Sequence, residues 1–325
     1  MAVASIFSAV AEGVHRVEES LLSVAEVEHP QISALLRHVL QTEGKRIRPA
    51  LVLLSGKLGD YNLDRLVPLA TAVELLHTAT LVHDDVIDNS HTRRGVPTLN
   101  SLISGRATIL IGDYLFAQSA VFATKSHNLR VMELFSRTLA KICDGELRNV
   151  SSSNDGSKSR SEYYRTIEAK TAALFVAATQ SGAILANLPE REIQAIGAYG
   201  YNVGVAFQIV DDILDFVGDE RKMGKPVGSD LRQGTVTLPA IRLAESFPDD
   251  GILACIFEDS IDDAERERRI KRVVEMVVSS PAIRLAREEA LSFIREAKDA
   301  LDILPDSDHK RSLLALADYI VERAY

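Results

Sequence analysis

The glycines and prolines of this chain cluster between long apolar segments, and this spacing limits the fold more than any other feature. Ten prolines and 18 glycines are few for 325 residues, so most apolar segments run without interruption. Nowhere do apolar and polar residues alternate long enough to predict a strand. The pattern therefore predicts an all-α protein of long helices.

The helical pattern covers most of the chain and stops at residues that break helices. Predicted helices span residues 4–28, 62–90, 98–125, 128–150, 161–188 and 189–216, and the pattern resumes from 238 to the end. Pro30 and Pro49 begin two more helices. A polar loop is predicted over 151–159. A longer one over 218–236 is expected to be functional, because loops of that length inside a compact protein usually are.

Composition excludes some classes of function. The net charge of −9 argues against nucleic acid as a partner, although local basic clusters can still bind small anions. Cys143 and Cys255 have no metal or redox spacing, so we expect buried, reduced thiols. The N-terminus has no basic region, and polar residues interrupt the apolar segment 171–188. We therefore expect a soluble, cytoplasmic protein with a core helix over 171–188, not a membrane span.

An aspartate cluster ends one apolar segment, Leu81-Val-His-Asp-Asp-Val-Ile-Asp88. Asp84 and Asp88 are four residues apart and share one face of a helix, with Asp85 on its flank. The carboxylates repel one another and their apolar neighbours hinder solvation, so this cluster by itself indicates either a bound cation or a solvated helix end. Mg²⁺ is the expected ion, because it takes oxygen ligands and bridges carboxylates to substrate phosphates.

The same spacing recurs in Gln208-Ile-Val-Asp-Asp-Ile-Leu-Asp215. Two apolar helices that each carry such a cluster would be destabilised by unpaired carboxylates unless the clusters share ligands. If the helices face each other, we expect their carboxylates to hold several Mg²⁺ ions around one diphosphate leaving group. The predicted ligands are Asp84, Asp85, Asp88, Asp211, Asp212 and Asp215.

Basic residues are distributed around both clusters. They are Lys45, Arg46, Arg48, Arg93, Arg94, Lys170 and Lys225. Arginine grips phosphate oxygens through two nitrogens, and lysine acts as a point charge. Their distribution predicts two diphosphate sites, one formed with Mg²⁺ and one with side chains alone.

Six short segments, in their order along the chain, resemble those of the trans-isoprenyl diphosphate synthases, the polyprenyl synthetase family. The resemblance extends over nearly the whole chain. The segments are GKRIRP at 44–49, ELLHTATLVHDDVIDNSHTRRG at 74–95, GD at 112–113, KT at 170–171, FQIVDDILD at 207–215 and GKPVGSDL at 224–231. The resemblance implies a single polyprenyl synthetase domain over residues 1–325. Its fold would be an isoprenoid synthase-type helical bundle around a deep central cavity, usually paired as a homodimer.

The resemblance also implies a Mg²⁺-dependent prenyltransferase that condenses isopentenyl diphosphate with an allylic diphosphate. It implies that the catalytic residues are Asp84, Asp85, Asp88, Lys170, Asp211 and Asp212. The residues that would also support the allylic diphosphate are Arg93, Lys170, Thr171, Gln208 and Lys225. Isopentenyl diphosphate would be held by Lys45, Arg48, His77 and Arg94.

The implied chemistry is ionisation, condensation and elimination. It needs no protein nucleophile, in agreement with the absence of a persuasive Ser-His-Asp or Cys-His arrangement in the sequence. One position departs from the family, because Thr235 stands where many members have a lysine. We expect Arg232 to supply the missing charge.

In this family, bulk beneath the first aspartate cluster stops chain growth. Ala79 lies five residues before Asp84 and is followed by Thr80; Ala120 is small, and Phe116 is a candidate floor. By analogy with the family we expect a long all-trans product of about C40 to C50. Geranylgeranyl and farnesyl diphosphate are the shorter alternatives.

Three other interpretations remain open. His83 and Asp84 form an HD pair that, with His38 or His77, is typical of a metal-dependent phosphohydrolase, but this leaves the second cluster without a role. A non-catalytic subunit of a heteromeric synthase would not need both clusters intact. A terpene cyclase would use a single diphosphate and would not need the basic residues of an isopentenyl site.

Overall fold

The computed structural model of the protein describes residues 6–42, 44–93, 95–151, 159–219, 226–247, 251–258 and 260–322, and most of these residues are helical. The first half contains α1 (Ala11–Ser23), α2 (Pro30–Leu40), α3 (Ile47–Gly56), α4 (Leu63–Ile87), α5 (Leu99–Leu102), α6 (Gly105–Thr124) and α7 (Leu129–Ser151). The second half contains α8 (Arg160–Ile167), a π-helical segment (Glu168–Ala172), α9 (Ala173–Leu185), α10 (Glu190–Val217), α11 (Ser229–Arg232), α12 (Leu238–Ser246), α13 (Asp263–Ser279), α14 (Ala282–Ala300) and α15 (Asp308–Glu322). Short 3₁₀ turns occur at Ser8–Val10, Ala254–Ile256 and Leu301–Ile303, and β1 (Thr92–Arg93) pairs antiparallel with β2 (Val96–Pro97). The prediction of an all-α fold is confirmed.

Some predicted helices have different bounds, each for a local reason. α4 ends at Ile87 because Asp88 leaves helical geometry and Asn89 has a φ of 47°. The helix predicted over 98–125 is divided at Ile103, whose backbone is extended. The helix predicted over 161–188 is interrupted by the π-helical segment. Of the two predicted loops, residues 152–158 and 220–225 lie outside the described part of the chain.

The core is built around helices that are apolar on all sides. In α9 every residue except Val176 and Gln180 is buried, and in α3 every residue except Arg48. A helix that is apolar all round has to be surrounded by other elements, and α3, α4, α7 and α10 all pack against α9. As predicted, the apolar segment after Thr171 is a core helix.

Two described helices, α4 and α6, are long and apolar enough to cross a membrane by length and composition. In α4, 67% of the apolar stretch is buried inside the protein, as expected for a core helix. In α6 only 39% is buried, and Ile109, Leu110 and Val121 are exposed. α6 therefore presents an apolar face at the surface of the single chain.

The two cysteines differ in exposure. Cys143 on α7 is exposed, Cys255 is half-buried, and both are free thiols. The expected burial is wrong for Cys143, because this residue lies on the outward face of an amphipathic helix.

Candidate active site

The first aspartate cluster lies at the carboxyl end of α4, where its three carboxylates have different surroundings. The side chain of Asp84 is 14% exposed, and Asp88, just beyond the helix, is exposed. Asp85 turns inward, and its Oδ1 lies 2.9 Å from Arg93 Nε and 2.8 Å from Arg93 Nη2. Burial raises the pKa of Asp85 above its ordinary value, although Arg93 lowers it in part. The first cluster therefore offers Asp84 and Asp88 to a ligand and engages Asp85 internally.

Arg93 reaches the first cluster from the β1–β2 hairpin that directly follows α4. The hairpin turns at Gly95, whose φ of 75° is a left-handed conformation that glycine adopts without strain. His38 Nε2 lies 2.8 Å from Pro97 O and ties the hairpin to α2. Arg94, predicted to bind isopentenyl diphosphate, lies outside the described residues.

The second cluster lies in the last turns of α10 and is mostly buried. Asp211 is exposed, whereas Asp212 and Asp215 are 3% and 1% exposed. Asp212 accepts hydrogen bonds from the Tyr163 hydroxyl at 2.6 Å and from Gln208 Nε2 at 2.8 Å. Burial raises the pKa of Asp212 well above its ordinary value, and these two hydrogen bonds offset part of that effect.

Asp215 holds the segment that leads into α11. Its carbonyl oxygen accepts a hydrogen bond from Gly228 N at 2.8 Å, and its Oδ2 accepts one from Asp230 N at 3.1 Å. Gly228 has a φ of 71°, and a Cβ there would lie 2.6 Å from Val274 Cγ2, so the position requires glycine. Lys225, predicted to contact the allylic diphosphate, lies outside the described residues.

The π-helical segment connects the two clusters. Lys170 Nζ lies 3.3 Å from Asp84 Oδ2, and the Thr171 hydroxyl donates to Gln208 Oε1 at 2.6 Å. Because Gln208 in turn donates to Asp212, a series of contacts through adjacent residues joins the first cluster to the second. π-Helical turns within α-helices occur frequently at functional sites. The structure therefore connects Asp84 of the first cluster with Asp212 of the second.

Lys170 also binds a carboxylate that the sequence did not indicate. Its Nζ lies 3.3 Å from Glu146 Oε1 on α7. Burial alone would lower the pKa of Lys170, but the charges of Asp84 and Glu146 outweigh burial and raise it. Gly145 permits the close approach of α7, because a Cβ there would lie 2.5 Å from Ala169 Cβ.

A cavity of about 620 Å³ adjoins the first cluster. Among the residues in its wall are Lys45, Arg48, His77, Asp85, Arg93 and Phe207. The Arg48 guanidinium lies 4.8 Å from the centre of the Phe175 ring, and Lys45 Nζ lies 5.1 Å from the centre of the Tyr319 ring. Aromatic rings attract cations without removing their charge. The described residues predicted to bind isopentenyl diphosphate therefore line one cationic cavity.

Arg46, in the same turn as Lys45 and Arg48, has a structural role. Its φ is 48°, its Nη1 lies 2.9 Å from Glu74 Oε1, and its Nη2 donates to Leu40 O at 3.0 Å. The side chains of Arg46 and Glu74 are only 14% and 8% exposed. This ion pair fixes the backbone that carries the two cavity cations.

The predicted chain-length residues lie in or beside the packing of α4 against α6. Ala79 is fully buried, and the half-buried Thr80 donates its hydroxyl to the α4 backbone at 2.7 Å. Phe116 is half-buried, and its ring centre lies 5.2 Å from that of His83. Ala120 lies on the exposed face of α6. Within the single chain, Ala120 therefore does not close an interior pocket.

The histidines do not support a phosphohydrolase. His83 turns away from the cluster toward α6, where its Nε2 lies 3.1 Å from Ile109 O and 3.5 Å from Asp113 Oδ1. Gly112 makes room for the ring, because a Cβ there would lie 2.2 Å from His83 Nε2. His38 is engaged by the β1–β2 hairpin. Within the described ranges, no three His, Cys, Asp or Glu side chains form a metal site by themselves.

Arg232 does not take the place of the family lysine that Thr235 replaces. Its Nε lies 2.9 Å from Glu267 Oε2 and its Nη2 lies 2.8 Å from Glu267 Oε1 on α13. A two-point contact of this kind uses the planar fork of the guanidinium. The expectation that Arg232 supplies the missing charge is therefore not met.

Tyr163 and Glu146 are site residues that the sequence analysis missed. Neither belongs to an aspartate cluster or a basic turn, and both reach the site through the packing of α8 and α7 against the π-helical segment. For Tyr163 one signal existed, because it precedes Lys170 by two helical turns and would share its face on a regular helix.

Comparisons with known proteins agree with this geometry. A family model described as polyprenyl synthetase matches residues 29–277. The heptaprenyl diphosphate synthase component 2 of Geobacillus stearothermophilus is 37% identical over an alignment of 327 positions that covers 100% of both chains. The crystal structure of a polyprenyl synthase from Caulobacter crescentus CB15, complexed with calcium and isoprenyl diphosphate, has a TM-score of 0.91 at 33% identity, covering 100% of this chain and 98% of that one. A decaprenyl diphosphate synthase from Rhodobacter capsulatus has a TM-score of 0.90 at 35% identity, with full coverage of both chains. The fold, the two connected aspartate clusters and the similarity to these relatives agree: the chain belongs to the polyprenyl synthetase family of prenyltransferases.

Proposed function

We propose that this chain is a Mg²⁺-dependent prenyltransferase that condenses isopentenyl diphosphate with an allylic diphosphate into a long all-trans polyprenyl diphosphate. The observation that carries the proposal is the contact of Lys170 with Asp84 and of Thr171 with Gln208, which joins the two clusters. The cationic cavity beside the first cluster provides a second site for an anion. Two adjoining anion sites suit a reaction between two diphosphates, whereas a terpene cyclase requires only one.

The carboxylates of the two clusters fit Mg²⁺. This ion is usually bound by one or two carboxylates together with waters and substrate phosphates, so it does not need a site built from protein ligands alone. Asp84, Asp88 and Asp211 are the more accessible carboxylates, and we expect them to contact the ion directly. Of the six predicted ligands, the other three are buried and hydrogen-bonded within the chain, so we expect them mainly to maintain the positions of their helices.

The residues of the chain bind and orient the two substrates. Bound Mg²⁺ would stabilise the negative charge that develops on the departing diphosphate. Lys170 and Arg93 add positive charge to the same group, and Thr171 and Gln208 complete its surroundings. Isopentenyl diphosphate occupies the cavity with its diphosphate on Lys45, Arg48 and His77. The reaction breaks the allylic C–O bond, forms a bond between the allylic carbon and the terminal alkene carbon, and releases one proton together with diphosphate.

The test is elongation of an allylic primer with isopentenyl diphosphate by the purified chain, with Asp84→Asn and Asp211→Asn compared separately. Each substitution is expected to reduce elongation on the order of a hundredfold, since each removes a carboxylate that would hold the Mg²⁺ needed to stabilise the leaving group. Asp306→Asn serves as the control, because that side chain is 79% exposed outside the site. Release of phosphate without elongation, or unchanged turnover in both cluster variants, would refute the proposal.

The relative from Geobacillus stearothermophilus bears the name component 2, so the assay begins with this chain alone. Elongation by the single chain excludes a requirement for a second component. If activity appears only after a partner subunit is added, the interpretation as a non-catalytic subunit is favoured instead.

We further propose a long product, about C40 to C50 by analogy with the family. Ala79 leaves little bulk beneath the first cluster, and two of the compared relatives are named for heptaprenyl and decaprenyl products. Geranylgeranyl and farnesyl diphosphate are the alternative products, and chromatography of the elongated chains distinguishes these lengths.

We also propose that residues 1–325 form one domain of a cytoplasmic homodimer that does not bind nucleic acid. α14 and α15 pack against α10, so the described C-terminal helices share the core of the second cluster. The exposed side of α6 is the surface that we assign to the second copy. Its residues are Arg106, Ile109, Leu110, Asp113, Ala117, Ala120, Val121 and Thr124.

A further inference from the structure

A buried tyrosine is in direct contact with the second aspartate cluster. Tyr163 is 1% exposed, and its hydroxyl donates to Asp212 Oδ2 at 2.6 Å. The residue lies on α8, which begins with a capping box in which Ser159 and Glu162 satisfy each other's backbone N–H groups. The helix that positions the hydroxyl is therefore fixed at its start and held by burial of the ring.

Both oxygens of the Asp212 carboxylate are engaged. Oδ2 accepts from Tyr163, and Oδ1 accepts from Gln208 Nε2 at 2.8 Å. Gln208 then has only one orientation for its amide, because its Oε1 accepts from the Thr171 hydroxyl at 2.6 Å. Three successive hydrogen bonds thus connect α8, α10 and the π-helical segment.

We propose that Tyr163 is a positioning residue for the allylic diphosphate, acting through Asp212 and Gln208 to fix Thr171 and the adjacent Lys170 between the two clusters. The inference rests on the proposed function and adds a residue to its site. Without the hydroxyl, Asp212 Oδ2 would be a buried carboxylate oxygen that has lost a hydrogen-bond donor. Leaving a buried acceptor in this state costs free energy of folding. Rotation of the carboxylate to recover a partner would release Gln208, and with it the orientation of Thr171.

Two other tyrosines provide matched controls. Tyr199 is fully buried, and its hydroxyl donates to Leu313 O on α15 at 2.7 Å. Tyr164, the neighbour of Tyr163, directs its hydroxyl to Glu289 on α14. Neither hydroxyl donates to an aspartate of the two clusters, so a phenylalanine at either position tests the effect of losing a tyrosine hydrogen bond on the fold alone.

The experiment compares Tyr163→Phe with Tyr164→Phe and Tyr199→Phe. Calorimetry measures binding of inorganic pyrophosphate in the presence of Mg²⁺, and steady-state kinetics measures kcat and both KM values. For Tyr163→Phe we expect weaker Mg²⁺-dependent pyrophosphate binding and a higher KM for the allylic diphosphate, each by about tenfold, the effect of one hydrogen bond to a charged group. The KM for isopentenyl diphosphate should not change, and the two controls should match the wild type in all constants.

Wild-type pyrophosphate binding by Tyr163→Phe, an equal change in both KM values, or equal losses in all three variants would overturn the inference. If Tyr163→Phe does not fold, Gln208→Met breaks the same series of bonds one step later and must give the same selective change. Failure of the wild type to elongate would refute the proposed function itself. An active wild type with an indistinguishable Tyr163→Phe would refute only the role of Tyr163.

Discussion

At the residue scale, the two clusters use equivalent aspartates differently. In both, the second aspartate turns inward, so Asp85 binds Arg93 and Asp212 binds Tyr163. The last aspartates differ, because α4 ends just before Asp88 and exposes it, whereas α10 continues to Val217 and keeps Asp215 buried. The spacing predicted the shared helix faces, but helix termination and packing decided which carboxylates are accessible.

Ala79→Tyr tests the assignment of product length. A tyrosine at this fully buried position adds bulk beneath the first cluster, so we expect shorter products in chromatography of elongated chains. Overpacking is expected to lower the free energy of unfolding by about 1–3 kcal/mol, which a denaturant titration measures. Normal turnover with an unchanged distribution of product lengths would show that the pocket lies elsewhere.

Glu74→Ala tests the ion pair that holds the cationic turn. Removing the carboxylate leaves Arg46 buried without its main counter-charge, so we expect a loss of about 3–5 kcal/mol in the free energy of unfolding. Glu133→Ala is the control, because it breaks an exposed pair with Arg137 and should cost less than about 1 kcal/mol. Similar denaturation midpoints for the two variants would contradict a structural role for Arg46.

At the element scale, the site depends on close approaches to the π-helical segment. Two glycines make these approaches possible, one on α7 and one on α10. A Cβ at Gly204 would lie 2.8 Å from Ala172 Cα and 3.0 Å from Phe175 Cβ. Since one of these contacts is to backbone, no side-chain rotation can relieve it, and the two elements would have to separate.

Gly204→Ala should therefore lower both the unfolding temperature and the rate of elongation. We expect a stability loss of about 1–3 kcal/mol, the usual cost of overpacking. Gly105→Ala is the matched control, because a Cβ there would make only ordinary contacts, at 3.6 Å with Asn100 and 3.8 Å with Val86. Thermal unfolding and steady-state rates measure the difference, and a fully active, stable Gly204→Ala would contradict this account of the packing.

At the scale of the whole molecule, the exposed face of α6 is the feature that a single chain leaves unexplained. Leu110 is 59% exposed and Val121 is 50% exposed, and eleven residues of helix place them close to one line along the axis. Apolar surface arranged in this way commonly marks an interface.

If a second copy covers this face, Leu110→Glu should convert the dimer to a monomer in sedimentation measurements. Burying the introduced carboxylate in an apolar interface costs free energy of association, which favours the monomer. Ile32→Glu on α2 is the control, since Ile32 is also apolar and exposed, at 43%, but lies outside the α6 face. A dimer that persists in Leu110→Glu would place the interface elsewhere.

Stability should decrease in alkaline solution because several tyrosines are partly or fully buried. Burial raises the pKa of Tyr61 to about 12 and also raises the pKa values of Tyr164, Tyr199 and Tyr201. Above the ordinary tyrosine pKa of 10.0, the unfolded chain loses protons that the folded chain retains, so the free energy of unfolding falls as pH rises. The chain has no tryptophan, so tyrosinate absorbance can be followed beside circular dichroism. Ionisation of these tyrosines without loss of helix would contradict the prediction.

The sequence by itself determined the helical class, the two aspartate clusters and most of the cationic residues, because these depend on local periodicity and on the chemistry of short segments. Only the tertiary structure decided that Lys170 contacts the first cluster and that Thr171 reaches the second through Gln208. It also decided that Asp85, Asp212 and Asp215 are buried and that Tyr163, Glu146 and Glu74 take part. It also directed His83 to α6 and Arg232 to Glu267. These outcomes depend on which helix faces pack together, and a local pattern does not specify the neighbour that each face meets.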